Sequence, residues 1–263
     1  MKSYLAVIKG SFQAGLAYRS GHIFTILNSL VYMSIAYYLW GSIYQGREMI
    51  NGLTFNQTFL YITVAKSLMV LLKTWTDWII SNEITDGSII MSLVKPINFQ
   101  FFMLSQSIGF CLLNLMSITV PSILFLLFVF KIPIDPGIGF LFFPVALIFS
   151  FLLTSTIDYI IGLTSFFTES IWGISSTKDI IVAFFSGSLI PIYFFPEAAQ
   201  KVLKFLPFQA MYNLPLMMLI EPNKRIADFL AMIGVQIFWV VVIFMFSRFF
   251  YNRAIKVLRV SGG

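Results

Sequence analysis

Charged side chains inside long apolar runs are the residues here most able to do chemistry, because each is costly to keep in hydrocarbon. Lys66 and Lys73 stand seven residues apart in one such run and share a helical face, with Asp77 one turn beyond Lys73. Asp158 lies inside another run. If the run from Phe55 and the run from Ile138 both pass inward, Lys73 and Asp158 reach similar depth in the inner half of the membrane. Lys73 either snorkels to the inner headgroups or makes a polar contact within the bundle. Lys66 sits nearer mid-membrane, where snorkelling satisfies it less well. A contact along a substrate path and a purely structural pair both fit these three residues.

Catalysis would require converging groups, and their raw materials are scarce. His22 is the sole histidine and falls at the end of an apolar run; no His–Glu metal pattern, serine–histidine pair or paired intramembrane carboxylates appear. Cys111, the only cysteine, lies inside an apolar run, which excludes an intrachain disulfide and a thiolate metal site. A phosphate-binding Walker A loop needs G-x-x-x-x-G-K-[ST], and no window fits it. Gly173-Ile-Ser-Ser-Thr-Lys178 lacks the second glycine before its lysine. The net charge of +6 does not form one patch; the basic residues fall mostly at run ends and in loops, so no nucleic-acid partner is expected.

The elements that must position these residues are membrane spans. Hydrophobic residues make up 59% of the chain and charged residues 11%, against roughly a quarter charged in a soluble domain; the mean hydropathy is +0.89. Crossing a hydrocarbon core about 30 Å thick takes roughly 20 apolar residues. Six runs meet that length, at about 22–44, 55–76, 101–130, 138–166, 176–195 and 229–250. The third is too long for one straight crossing; it is expected to begin at the interface around Phe99–Phe102 and to bend near Pro121. The first run follows a polar, basic segment without a small-residue cleavage site and is read as a retained helix. The expected fold is an all-α integral membrane protein, one membrane domain over 1–263. Lys2, Lys9 and Arg19 precede the first span, and Arg248, Arg253, Lys256 and Arg259 follow or end the last. Six spans put both termini on one side, and these cations place that side in the cytoplasm.

Three connections carry structure of their own. Residues 1–20 form an amphipathic helix with Leu5, Ile8, Phe12 and Leu16 on the apolar face and Lys2, Lys9 and Gln13 elsewhere, suited to the inner-leaflet surface. Residues 77–100 read as a short helix, a stop at Gly87, a second short helix through Leu93, and a break at Lys95-Pro96; Glu83 and Asp86 stand at an exposed corner. An ordinary wet loop and a docking knob both fit that pattern. After Gly187, prolines 191, 196, 207, 215 and 222 cut the chain into pieces too short to span. Broken helices survive at membrane depth only when buried in protein or lining a cavity, so 196–228 is read as a re-entrant connection capping the outer end of the bundle.

These features together resemble the ABC-2 type transporter permeases. The resemblance rests on the amphipathic N-terminal helix, six spans, Gly87 with Leu93-Val94-Lys95-Pro96 after span two, Gly187, Pro191 and Phe195-Pro196 ending span five, then Leu206-Pro207-Phe208 and Pro215. It covers nearly the whole chain and is closest to the bacterial branch described as multidrug or viologen exporters. It implies a multi-pass protein of the bacterial plasma (inner) membrane, a second permease copy or related permease, and a cytoplasmic ABC ATPase subunit that binds ATP and Mg. This chain itself would hold no cofactor, catalytic group or metal. Glu83, Asp86, Gly87, Leu93, Lys95 and Pro96 would form the ATPase-coupling loop; Gly187, Pro191, Pro196, Pro207 and Pro215 would form the outer gate. The final Val260-Ser-Gly-Gly263 resembles part of an ABC signature loop but has no ATPase domain around it.

The expected function is therefore the membrane subunit of an ATP-driven exporter, not an enzyme. A secondary transporter or channel working without an ATPase is the alternative; it would favour a coupling-ion site, for which Lys66, Lys73 and Asp158 are the only intramembrane charges counted. The 30 phenylalanines and 12 methionines serve mostly lipid-facing and packing surfaces, with a subset able to line a path for an amphipathic, drug-like or lipid-like cargo. A conduit for small hydrophilic solutes would show more polar residues on its spans.

Overall fold

The computed structural model describes residues 2–17, 19–134, 137–168, 170–221 and 223–257. Pro222, Arg259 and the Val260–Gly263 terminus lie outside the described residues. Apolar length dictates the architecture. Among the described residues, five helical segments are long and apolar enough to cross a bilayer: Ser20–Ile43, Phe55–Thr85, Phe99–Val129, Gly139–Phe166 and Ile226–Val257. The all-α expectation holds, apart from a two-stranded hairpin, Met49–Ile50 with Leu53–Thr54, between the first two of them.

The chain enters as α1 (Lys2–Leu16) and crosses as α2 (Arg19–Ile43). The face of α1 that meets protein is not the one anticipated. Ile8 and Phe12 are half-buried, but Leu5 and Leu16 are exposed, and the buried residue is Gly15. The cause is a backbone crossing with α6 (Phe99–Asn114): a Cβ on Gly109 would stand 2.6 Å from the Ile8 carbonyl oxygen. A glycine there lets the two helices touch, so α1 docks on the bundle as well as offering Leu5 and Leu16 to lipid.

The second crossing is two helices, not one. Thr54 caps α3 (Phe55–Leu71) with a reciprocal capping box to Gln57. The helix then breaks over residues 72–75, where Trp75 adopts a left-handed conformation (φ 56°), and α4 (Thr76–Thr85) begins. Asn114 Nδ2 takes the Val70 carbonyl freed near the break, 3.0 Å away. Gly87 (φ 77°) then supplies the positive φ that turns the chain into α5 (Ile89–Leu93).

The third crossing departs from α geometry where expected. Between α6 and α7 (Val120–Val129) lies a π-helical turn, Leu115–Thr119, immediately before Pro121. Proline lacks an N–H and crowds the carbonyl four residues back, so the turn widens and Val120 bonds Leu115 instead. Helix α8 (Gly139–Leu163) is continuous.

The fifth crossing corrects the span drawn at 176–195. Helix α9 runs Trp172–Phe185, about 21 Å at 1.5 Å per residue, short of a full crossing. Gly187 (φ 81°) ends it, and non-helical chain, buried at Gly187 and Ser188 and exposed at Leu189 and Ile190, continues to Pro191 and a 3₁₀ turn, Ile192–Phe194. The Tyr61 hydroxyl donates to the Gly187 carbonyl at 2.8 Å, giving that backbone the partner that membrane depth requires. Next come α10 (Glu197–Leu203), α11 (Phe208–Met211) and α12 (Asn213–Ile220), then the last crossing, α13 (Ile226–Ala254). Every residue of α12 is buried, whereas Val202 of α10 and Phe205 just after it are exposed. The burial in protein that a re-entrant connection needs is thus present in α12 and absent on the outer side of α10.

Three packed regions result, the smallest around Ala146, Met218, Phe229 and Ile233. The two larger ones flank the candidate site. One, built on α3, α11 and α12, extends toward the end opposite the termini. There Gln57 holds the Ile220 carbonyl (3.1 Å), and Gln236 Nε2 reaches the Ala210 carbonyl (2.8 Å) and Ser150 Oγ (3.2 Å). The other joins α4, α5, α6, the end of α8 and the end of α13 at the terminal end.

Candidate functional site

Between these two regions the charged residues converge, and not in the combination the spacing suggested. Lys178 Nζ, on α9, reaches three carboxylates: Asp158 Oδ1 at 2.6 Å, Asp179 Oδ1 at 2.8 Å and Asp77 Oδ2 at 3.3 Å. An ammonium has three N–H donors, and each meets an acid. Asp158 on α8 also accepts from Thr74 Oγ1 at 2.6 Å, and Asp77 on α4 accepts from Ser175 Oγ at 2.6 Å. Asp179 Oδ2 is shared with Lys73 Nζ at 2.8 Å. Three helices and the break at residues 72–75 are thus tied through one cluster of two lysines and three aspartates.

Its two halves differ in solvation. The side chains of Asp77, Asp158 and Lys178 are 0%, 3% and 9% exposed, whereas Lys73 and Asp179 are 24% and 48% exposed. A close α4–α8 contact creates the dry half: a Cβ on Gly162 would lie 3.0 Å from Ile80 Cβ and 3.1 Å from Asp77 Cα. Glycine at 162 lets α4 pack closely on α8 beside Asp77. The wet half opens on the outer face of α9, where Thr177 and Asp179 are exposed beside Ile180 and Phe184.

Several sequence-level readings change accordingly. Lys73 and Asp158 do come to one cluster but do not pair; Lys73 takes Asp179 and lies over the Trp75 ring, 4.8 Å from its centroid. Asp77 is not the start of an exposed loop but the most buried member of the cluster. Paired intramembrane carboxylates, read as absent, exist as Asp77 and Asp158 around one lysine. Lys178 and Asp179 were missed because Gly173–Lys178 was weighed only as an incomplete phosphate loop. Two adjacent charges inside an apolar helix were the available signal. On that helix the Lys178 ammonium is spoken for by carboxylates, which leaves no phosphate cradle. Lys66 stands apart, its ammonium over the Tyr32 ring at 5.3 Å, with no ion pair among the described residues.

The remaining site residues fall at the two ends. At the terminal end, Asp86 is exposed, and the Ser88 hydroxyl and N–H hold its carboxyl below the usual range. Glu83 is half-buried, turned toward Ser92 and Lys95, so the exposed corner has one free acid and not two. Lys95 Nζ covers the Phe102 ring at 4.0 Å, and Pro96 is exposed. Beside them Met91 and Val94 are 74% and 75% exposed, an apolar tip on α5. At the opposite end, Gly187 and Pro191 end the α9 segment, Pro196 and Pro207 start α10 and α11, and Pro215 sits in the first turn of α12, where no N–H is needed.

Removing one partner of a buried ion pair strands the other, at a cost of about 3–5 kcal/mol, while an exposed pair is worth about 1 kcal/mol or less. Lys178→Met is expected to lower the thermal midpoint of the detergent-solubilised protein far more than Lys73→Met. Adding Asp158→Asn to Lys178→Met is expected to recover part of the loss. Equal losses for the two lysines, or strict additivity of the double variant, would overturn this assignment of the cluster.

None of these groups surrounds a reacting centre; they couple helices. A search of curated proteins finds no match. A family model described as ABC-2 family transporter protein matches residues 30–262, nearly the whole chain and every element that carries the cluster. This multi-pass membrane protein therefore belongs to the ABC-2 transporter family, as a permease subunit.

Proposed function

We propose that the chain is the membrane half of an ATP-driven exporter that moves a hydrophobic or amphipathic molecule outward across the bacterial plasma membrane, with both termini in the cytoplasm. ATP and Mg would be bound and hydrolysed by a separate cytoplasmic ATPase subunit. The observation that carries this reading is the double placement of α4. Its first turn holds Asp77 in the charge cluster, and its other end, about 15 Å away, leads through Gly87 to the apolar tip of α5. A force applied to Met91 and Val94 would reach α8 and α9 through Asp158 and Lys178. Only contacts whose free energy differs between two states shift an equilibrium between them, and this cluster is well placed to supply such a difference. In this reading Asp86, Glu83, Gly87, Leu93, Lys95 and Pro96 frame the surface that the ATPase grips.

In this reading a second permease copy, identical or related, packs against the outer face of α9, where Thr177 and Asp179 are exposed; a facing subunit or a shared path suits such polar groups better than lipid does. Cargo would pass along that face, entering laterally or from the inner leaflet, and leave past the broken helices 196–221, whose proline-defined ends make the outer gate. A pocket of about 590 Å³ lined by Gln57, Leu60, Ile220 and Glu221 opens at that end.

Three outcomes are expected. Met91→Glu with Val94→Glu, or Glu83→Lys with Asp86→Lys, abolishes co-purification of the ATPase or uncouples its hydrolysis from transport while membrane insertion stays normal; unchanged transport in both variants sinks the docking role. Single cysteines at Ile180 or Phe184, with Cys111 replaced by serine, give a subunit–subunit crosslink, and failure along the whole exposed face of α9 counts against pairing there. In proteoliposomes with its ATPase, hydrolysis rises with amphipathic compounds and not with sugars or free amino acids; the reverse pattern refutes the cargo class.

A further inference from the structure

A second concave site adjoins the charge cluster, its wall including Thr76 and Tyr159, the chain neighbours of Asp77 and Asp158. Helices α6, α8 and α13, with the first residue of α4, leave a pocket of about 220 Å³ between them in the terminal half of the bundle. Its inner walls carry Leu104, Leu152 and Val240, with Thr76, Ser155 and Thr156 beside them, whose hydroxyls are already hydrogen-bonded to Ser107 and to the Leu152 carbonyl. Toward the terminal end its lining turns polar, with Gln100 and Tyr159, which are 5% and 2% exposed. Gln100 Nε2 donates to Ser247 Oγ at 2.8 Å, but its Oε1 has no hydrogen-bond partner, and neither has the Tyr159 hydroxyl, among the described residues. Buried polar atoms are normally satisfied, so two unpartnered ones on residues that line one cavity point to a ligand's polar groups there.

The mouth supplies a charge. Phe101 and Phe244 line the pocket, and the Arg248 guanidinium lies over both rings, 5.4 and 5.3 Å from their centroids. Among the described residues Arg248 has no carboxylate partner. Polarity therefore runs along the pocket in one direction. Leu152 precedes Tyr159 by seven residues on α8, and Val240 precedes Arg248 by eight on α13, so the apolar walls lie about 10–12 Å farther from the terminal end. A leaflet amphiphile has that same gradient, head at the interface and chain inward. A volume of 220 Å³ equals about seven waters, but the apolar inner walls favour methylenes over water.

We propose that this pocket binds one anionic glycerophospholipid from the adjoining leaflet. The Arg248 guanidinium pairs with the phosphodiester, a forked donor set that suits phosphate. The Tyr159 hydroxyl donates to an ester oxygen, and Gln100 Oε1 accepts from a headgroup hydroxyl. The first methylenes of one chain lie between Leu152 and Val240. Basic pockets between membrane helices commonly take anionic headgroups; here the unpartnered acceptor on Gln100 further selects a head that carries a hydroxyl. The site stands independently of the transport reading, because it does not share the exposed face of α9.

The test uses the full chain purified in detergent, equilibrated with equal amounts of phosphatidylglycerol and phosphatidylcholine, and read by native mass spectrometry. The wild type is expected to retain phosphatidylglycerol about tenfold over phosphatidylcholine, as one charge-assisted contact allows. Arg248→Gln brings the two lipids near parity. Tyr159→Phe lowers phosphatidylglycerol retention several-fold, while its lipid-free thermal midpoint stays level or rises, since it deletes a buried hydroxyl that has no protein partner. Added phosphatidylglycerol raises the wild-type midpoint and does so less in either variant. Equal retention of both lipids by the wild type, or undiminished phosphatidylglycerol retention in Tyr159→Phe whatever the fate of Arg248→Gln, overturns the proposal.

Discussion

The nearly buried Lys178 ammonium of α9 holds Asp158 from α8 and Asp77 from α4, so each of these three helices is positioned by the other two. Its neighbour Asp179 carries the cluster out to the exposed side. Buried ion pairs contribute little net stability, because desolvation offsets their attraction. What this cluster contributes is placement. A small sliding of α4 along α8 would take Asp77 or Asp158 away from the ammonium, and the uncompensated charge would cost more than the pair had gained. Gly162 belongs to the same constraint, since a Cβ there would press on Ile80 and on the Asp77 backbone and push the two helices apart.

The opposite end is held by different means, and the contrast is informative. Gln236, Ser150 and the Ala210 carbonyl form a neutral knot, and the Tyr61 hydroxyl reaches Gly187 with Asn213 Oδ1 3.1 Å from it. Neutral hydrogen bonds desolvate at far lower cost than charges. They can therefore secure irregular backbone, the broken helices α11 and α12, inside the bundle, where every unpaired carbonyl would otherwise be exposed to lipid.

How much of this was legible in the sequence follows from which interactions are local. Apolar length placed the crossings of α2, α8 and α13 well, because one crossing needs one run. Gly87 and Pro96 marked the ends of the α4–α5 corner, since a positive φ and a missing N–H are properties of single residues. Pro121 foretold a departure from α geometry for the same reason. Span five was misplaced because hydropathy does not see that Gly187 turns the chain before the apolar run ends. The pairing of Lys73 was misread because similar depth does not fix azimuth: Lys73 and Asp158 reach the same cluster, but Lys178 lies between α8 and α4 and takes Asp158 first. That contact joins residues 20 apart on different helices, and Lys178–Asp77 joins residues 101 apart. Spacing along one helix carries no information about either.

The break at residues 72–75 gives this arrangement its direction. A continuous helix through Phe55–Thr85 would move α4 with α3, and α3 is anchored to α12 through Gln57 and Ile220. With Trp75 left-handed and the Val70 carbonyl taken by Asn114, the joint is closed by its own hydrogen bonds, and α4 is freed from the axis of α3. Its attachments then lie with α8 through Gly162 and with α9 through Ser175 and Lys178. On the proposed reading, a displacement of the α5 tip would pass first to α8 and α9, the helix whose outer face carries the exposed polar residues. It would meet α3 at the joint, where Lys73 connects to the wet half of the cluster by way of Asp179. The charged cluster thus joins α4, α8 and α9, and the left-handed turn at Trp75 separates α4 from α3.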